Sequence, residues 1–298
     1  MKSTSILIKR NIKLFFKDKG MFFTALITPA ILLVLYSTFL GNVYRDSFLS
    51  NLPNASSLSE KLIDGLVGSQ LVSSILSVSC VTVAFCSNFL MVTDKANGAL
   101  KDLKIAPFKS SSLALSYYIA TIISTLIICF TATALCLVYL AAVGFYMSAI
   151  DVLLLFADVI LLVLFGTALS SVINFFLSSQ GQISAVGTIV SSGYGFICGA
   201  YMPISSFNDG LQKVISFLPG TYGTALIRNH SMRGALAEMT NEGIPNEAIE
   251  ALRDAMDCNL YFFENKVETW VMYIILGGSV LALLGIYILL NALKKKEK

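Results

Sequence analysis

Apolar residues in this chain fall into six long runs separated by polar and charged stretches. Each run reaches about 20 residues, enough to cross a ~30 Å hydrocarbon layer as a helix. The predicted spans are 21–40, 71–93, 113–142, 151–176, 183–202 and 270–292. The third and fourth are long enough to tilt or to include interfacial turns. Ahead of the first, residues 3–19 place Ile8, Ile12, Phe15 and Phe16 on one side and Lys9, Arg10, Lys13 and Lys17 on another. That pattern predicts an amphipathic helix lying in the headgroup layer. Pro29 falls inside the first span and predicts a kink, with Thr28 beside it to satisfy a freed carbonyl.

The connections are uneven. Residues 42–69 are polar, rich in Ser and Asn, and carry Pro53, which predicts an outer loop with little core of its own. A very short turn near Gly144 and another at Ser178-Ser179-Gln180-Gly181 make their flanking helices antiparallel neighbours. Residues 202–269 form the one large extramembrane segment, with five basic and nine acidic residues. Within it, 243–257 predicts an amphipathic helix starting at Pro245.

Composition agrees with a membrane solvent. The chain is 56% hydrophobic and 13% charged, with mean hydropathy +0.76, against roughly 45–50% apolar and ~25% charged for soluble domains. A net charge of +3 is too small to point to nucleic acid. Fourteen of the 21 Lys and Arg lie before the first span, between spans two and three, or after the sixth. By the positive-inside rule both termini are cytoplasmic. The first run is too long for a cleaved signal peptide and is expected to stay as an anchor. The expected fold is therefore all-α, a single domain over 1–298 in the plasma membrane. It comprises a cytoplasmic interfacial helix (1–20), about six spans, a cytoplasmic loop (94–112) and an extracellular segment (203–268). Five of the six cysteines fall in spans, where a thiol acts as an apolar filler. Cys258 alone falls outside, and is expected to be free and open to labelling.

Two spans carry small or polar stripes. In span two Gln70, Ser73, Ser74, Ser77 and Asn88 recur near helical spacing, and in span five Gly187, Ser191, Gly195 and Gly199 recur every four residues. The second stripe is a small-xxx-small pattern suited to close helix packing, within one subunit, between two copies, or along a substrate path. Asp158 is the one ionisable residue well inside a predicted span, and must face protein or water. Asp151 lies seven residues away, about 10 Å along a helix. That is too far for a shared proton, so Asp158 is read as a structural pairing residue. Enzyme chemistry lacks parts: there is one histidine, His230, and no H-E-x-x-H or G-x-S-x-G. A G-x-x-x-x-G-K-S/T loop is missing too, so ATP chemistry belongs to a partner.

This arrangement resembles the permease subunits of type-2 ATP-binding-cassette (ABC) exporters. Between spans two and three that family has an acidic-basic pair, a Gly-Thr-Leu, a leucine and a proline; Asp94-Lys95, Gly98-Ala99-Leu100, Leu103 and Pro107 match, with Asp for the usual Glu and Ala for the usual Thr. After span five it has a Gly, a Pro, a Leu-Pro and an Arg; here stand Gly199, Met202-Pro203-Ile204, Leu218-Pro219 and Arg228. The chain departs from the pattern in its extension over 229–268, which is longer and more acidic.

The resemblance implies two permeases, identical or related, assembled with two ATPases that hold ATP and Mg, and no cofactor on this chain. Asp94, Lys95, Gly98, Leu100, Lys101, Asp102, Leu103, Lys104 and Pro107 would then form a coupling element pressed on the ATPase, flanked by the N-terminal helix. Spans two and five of both copies would line the path, and residues 203–228 would dip back as an outer hairpin of helices. The family handles drugs, antimicrobial peptides, lipids and polysaccharide precursors, and the apolar spans favour an amphiphile. Two other classes fit in part: an ion-gradient-driven transporter, for which only Asp158 is available, and a non-transporting accessory protein.

Overall fold

The computed structural model describes residues 2–51, 58–105 and 110–296. Helix α1 (Lys2–Lys17) is amphipathic, but its buried positions are Leu7, Asn11 and Phe15, spaced by four, and they face α6 (Ser110–Val143). Of the predicted stripe, Phe15 is on that buried line, while Ile8, Ile12 and Phe16 lie beside it and are partly exposed. Asp18 ends this helix and starts the next by accepting the Met21 amide at 3.0 Å. Helix α2 (Lys19–Leu35) runs past Pro29, and a π-helical turn (Tyr36–Leu40) joins it to α3 (Gly41–Asn51).

Helix α4 (Glu60–Ala96) has 37 residues and is the axis of the molecule. It packs against α2, α6, α7 (Ala149–Phe176), α8 (Gln180–Ile197) and α10 (Pro219–Asn241), and its most apolar stretch is wholly buried. Glycines let backbones approach it. A Cβ on Gly144 would lie 2.6 Å from the Lys61 carbonyl oxygen, and one on Gly166 would lie 3.0 Å from that of Cys80. The remaining elements are α5 (Ala99–Ile105), α9 (Asp209–Ser216), α11 (Asn246–Ala255), an antiparallel pair β1 (Leu260–Phe262) and β2 (Asn265–Val267), and α12 (Thr269–Lys296). Pro245 directly precedes α11, as its sequence suggests.

Among the described residues, five helices are long and apolar enough to cross a membrane: Lys19–Asp46, Glu60–Ala96, Ser112–Val143, Ala149–Phe176 and Thr269–Leu293. The expected fifth span, 183–202, differs. Helix α8 covers only 180–197 before Gly199 turns the chain at φ +72°, and its Ser, Thr, Gln and Gly content keeps it off that set.

The outer loop expected over 42–69 is also corrected, because α3 and the first turns of α4 are helical there. Tyr44, Phe48, Leu62 and Leu66 recur at spacings of four and are buried with Leu58 in a second apolar core. Ser and Asn around them dilute the hydropathy without breaking the helical period. Pro53 and Pro107 lie outside the described residues.

Candidate functional site

Three places concentrate the predicted residues. The first is the junction of α4 and α5. Asp94 is buried and receives two bonds from the Arg10 guanidinium, at 2.7 and 3.2 Å, and one from the Tyr117 hydroxyl at 2.5 Å. Lys95 points its ammonium at the end of α7, donating to the carbonyls of Asn174 and Phe175 at 2.9 Å and of Leu177 at 3.1 Å. These carbonyls stand at the C-terminal end of α7, where the negative end of the helix dipole favours a cation; that of Asn174 also accepts the Leu177 amide at 3.3 Å.

Asp94 and Lys95 are thus committed inside the chain, where the sequence suggested a partner-facing pair. They fix the base from which α5 projects. Gly98 makes the turn at φ +81° with open space around it, and α5 then exposes Lys101, Asp102 and Ile105, while Leu100 and Leu103 pack toward Leu90, Met91 and Tyr117. Lys104 is the sixth residue of this seven-residue helix. Ile105, 84% exposed, is an apolar residue at this surface that the charge pattern did not single out.

The second place is a groove of about 1050 Å³ between α2 and α8, floored by α4. Gly187 and Ser191 line it, as do Thr28, Ile31, Phe89 and Phe196. Two of the α8 hydroxyls on this wall are satisfied within the helix, Thr188 bonding the Ser184 carbonyl and Ser192 that of Thr188, so the wall is mostly apolar with a few polar atoms. The rest of the two stripes is internal. On α4, Gln70, Ser73, Ser77 and Asn88 are all buried away from the groove. Asn88 donates to Ser170 and Ser171 of α7 at 3.0 Å, and Ser77 back-bonds to the Ser73 carbonyl. On α8, Gly195 lies under the Tyr201 ring, and Gly199 forms the turn. The α2 wall was not legible, because that helix is apolar on every side and periodicity selects no face.

The third place is the end of α8, where Arg228 of α10 is 1% exposed. Its guanidinium donates to the Gly199 carbonyl at 2.7 Å, Asp257 at 3.3 Å and the Ser73 hydroxyl at 3.4 Å. Asp257 also accepts the Ile204 amide at 2.9 Å. Burial pushes its carboxyl up to about 6, against the opposing pull of Arg228. One cation therefore joins α4, α8, α10 and the extension. Pro203 precedes a short 3₁₀ turn (Ile204–Ser206), and Leu218-Pro219 starts α10, with the proline at a position where its missing N–H costs nothing.

Asp158 is not part of this clamp; it is bonded to His230 Nδ1, two residues after Arg228, and to the Tyr273 hydroxyl, both at 2.5 Å. It is paired, as its position in a span requires. The extension is packed in the same way. Asn229 donates to the Cys258 carbonyl and accepts from Arg253, and Arg233 pairs with Asp151. Cys258 is a free thiol but is buried, which pushes it up to about 11. Ready labelling from outside is therefore not expected of it, and a cysteine introduced at exposed Asn265 is the better reporter.

The chain is thus a multi-pass helical membrane protein with a short projecting helix, α5, at the end of α4 and an apolar groove between α2 and α8. The model of the ABC-2 type transporter family matches residues 2–230, and the chain belongs to that family. It is a membrane permease of an ABC transporter, and such a domain works with an ABC ATPase. No curated protein matches the chain.

Proposed function

We propose that the chain is the permease of an ATP-driven exporter for an amphiphilic substrate, acting with a second permease copy, in a plasma membrane with both termini cytoplasmic. The observation that carries this reading is the α2–α8 groove. Helix α8 is the least covered of the long helices around α4, and its exposed face is continuous with Ile27, Ile31 and Phe39 of the first span. A second copy facing this groove would enclose a path with apolar walls and a few hydroxyls, which suits a molecule with one oily and one polar part. ATP binding and hydrolysis are assigned to the separate ATPase. The substrate-facing residues become Gly187, Ser191, Phe89 and Ile31 in place of the buried α4 serines.

Helix α5 is the proposed contact with the ATPase, with α1 held beside it by the Arg10–Asp94 pair. Placing Ile105 and Lys101 in a cleft removes exposed apolar surface and pairs a charge. Losing a buried, paired charge at such a contact costs about 2–5 kcal/mol. The double variant Lys101→Glu, Ile105→Asp should insert normally yet bind its ATPase roughly tenfold or more weaker, about 1.4 kcal/mol or more. Copurification at parent level, with export unchanged, would exclude α5 as the coupling element.

A further inference from the structure

The extension beyond the family match ends in an exposed aromatic cluster. Phe217, just after α9, sits with its ring centroid 5.1 Å from Phe262 and 6.2 Å from Phe263, and those two are 5.0 Å apart. Their exposures are 63%, 37% and 54%. Phe263 holds φ +56°, a left-handed backbone that glycine adopts freely and an aromatic residue rarely does. A large ring retained at that position of a tight hairpin implies that the ring is used.

The depth of the cluster follows from its neighbours. Helix α10 runs antiparallel to α12: the Asp158 carboxylate joins His230 of α10 to Tyr273 of α12, and a Cβ on Gly223 would lie 3.2 Å from Leu276. Leu276 is seven residues into the spanning helix α12, about 10 Å past its start. Phe217 ends α9, two residues before α10 begins, on the far side of Gly223 from His230, so it is level with the first turns of α12 or deeper. Contact with Phe217 therefore draws the hairpin tip back alongside the first turns of α12. There Trp270 and Ile274, 65% and 61% exposed, present the helix's outer surface.

We propose that the β1–β2 tip and Phe217 are a membrane anchor, with Phe262 and Phe263 seated among the lipids at the interface around α12. The hairpin runs directly into α12 at Thr269, so the cluster stands beside the first turns of a spanning helix. Aromatic rings are the side chains that bilayer interfaces favour, and in water they would forfeit the gain of apolar burial. Exposed Glu264 beside Phe263 limits the depth to the headgroup and upper acyl region, because a carboxylate deeper in hydrocarbon is costly. Helix α12 packs on α7 and α10, away from the α2–α8 groove where a second copy is placed, so lipid is the occupant of this side. The anchor ties the extension to the bilayer and does not depend on the direction of transport.

The chain has a single tryptophan, Trp270, which makes fluorescence selective. In a Trp270→Phe background, Phe263→Trp is introduced into the full chain, and the protein is reconstituted with its ATPase in phosphatidylcholine vesicles. Lipids brominated near the top of the acyl chain should reduce its emission roughly twofold, as for an interfacial ring, and aqueous iodide should have little effect. Quenching by iodide alone would put the tip in water and overturn the proposal. Protection from both quenchers would mean that protein, such as a second copy, covers it, and would overturn it equally. Phe217→Trp in the same background is an independent probe with the same outcomes, should the strained turn reject the larger ring.

Discussion

Asp257→Ala should destabilise the protein by about 3–5 kcal/mol, because it removes the carboxyl that accepts from the buried guanidinium of Arg228 and from the Ile204 amide and leaves both donors without that partner. Arg228 cannot shed its proton to escape, since an arginine stays charged in proteins. It keeps only the Gly199 carbonyl and the Ser73 hydroxyl as acceptors. Arg228→Met should cost less, because the abandoned Asp257 carboxyl can take up a proton instead. Denaturant titration in mixed micelles would measure this asymmetry, and equal losses from the two variants would mean that the clamp is not charge-dependent.

The same residue sets a pH response. Its carboxyl titrates at about 6 in the folded chain, above the ordinary 3.8, so folding favours the protonated form. The cost of burying the carboxylate is present above the folded value and is relieved as pH falls through the window between the two. The parent should therefore gain stability from this group as pH falls from about 6 to about 4, and Asp257→Asn should lack that increment.

Asp158→Leu should be the other severe change. It leaves the imidazole of His230 and the hydroxyl of Tyr273 facing a methyl group where each had a 2.5 Å bond, at about 2–5 kcal/mol for the two stranded groups. Asp158→Asn keeps a hydrogen-bonding group at the junction of α7, α10 and α12, and should fold and transport close to the parent. A folded Asp158→Asn protein that had lost all transport, in a parent whose transport follows a proton or sodium gradient, would make Asp158 a coupling site and favour a secondary transporter.

Most of the membrane architecture could be read from the sequence because apolar runs of that length have few other uses. Five of the expected spans correspond to helices of the required length and character. Asp94, Lys95 and Arg228 were singled out by the resemblance to the family's motifs, and Gly199 by its stripe as well, but what they touch was not legible. Lys95 caps α7 across 79 to 82 residues of sequence, and Asp257 reaches Arg228 from a segment whose acidity read as solvent-facing. Pairings over such distances leave no local period. The α4 stripe misled for a related reason: a polar stripe marks a face that avoids lipid, whether it lines a path or, as for Ser73, Ser74 and Asn88 here, bonds to neighbouring helices. Tyr44, Phe48, Leu62 and Leu66 did carry a helical signal, hidden by the average polarity of their segment.

The central claim is that movement of substrate through this chain is powered by ATP on a partner. It is tested most directly by reconstituting the chain with its ATPase in sealed vesicles and following a fluorescent amphiphile. The account predicts transport that requires ATP and Mg, continues after ion gradients are collapsed, and fails with the Lys101→Glu, Ile105→Asp variant. Transport that runs without ATP and stops when the proton or sodium gradient is dissipated would contradict it.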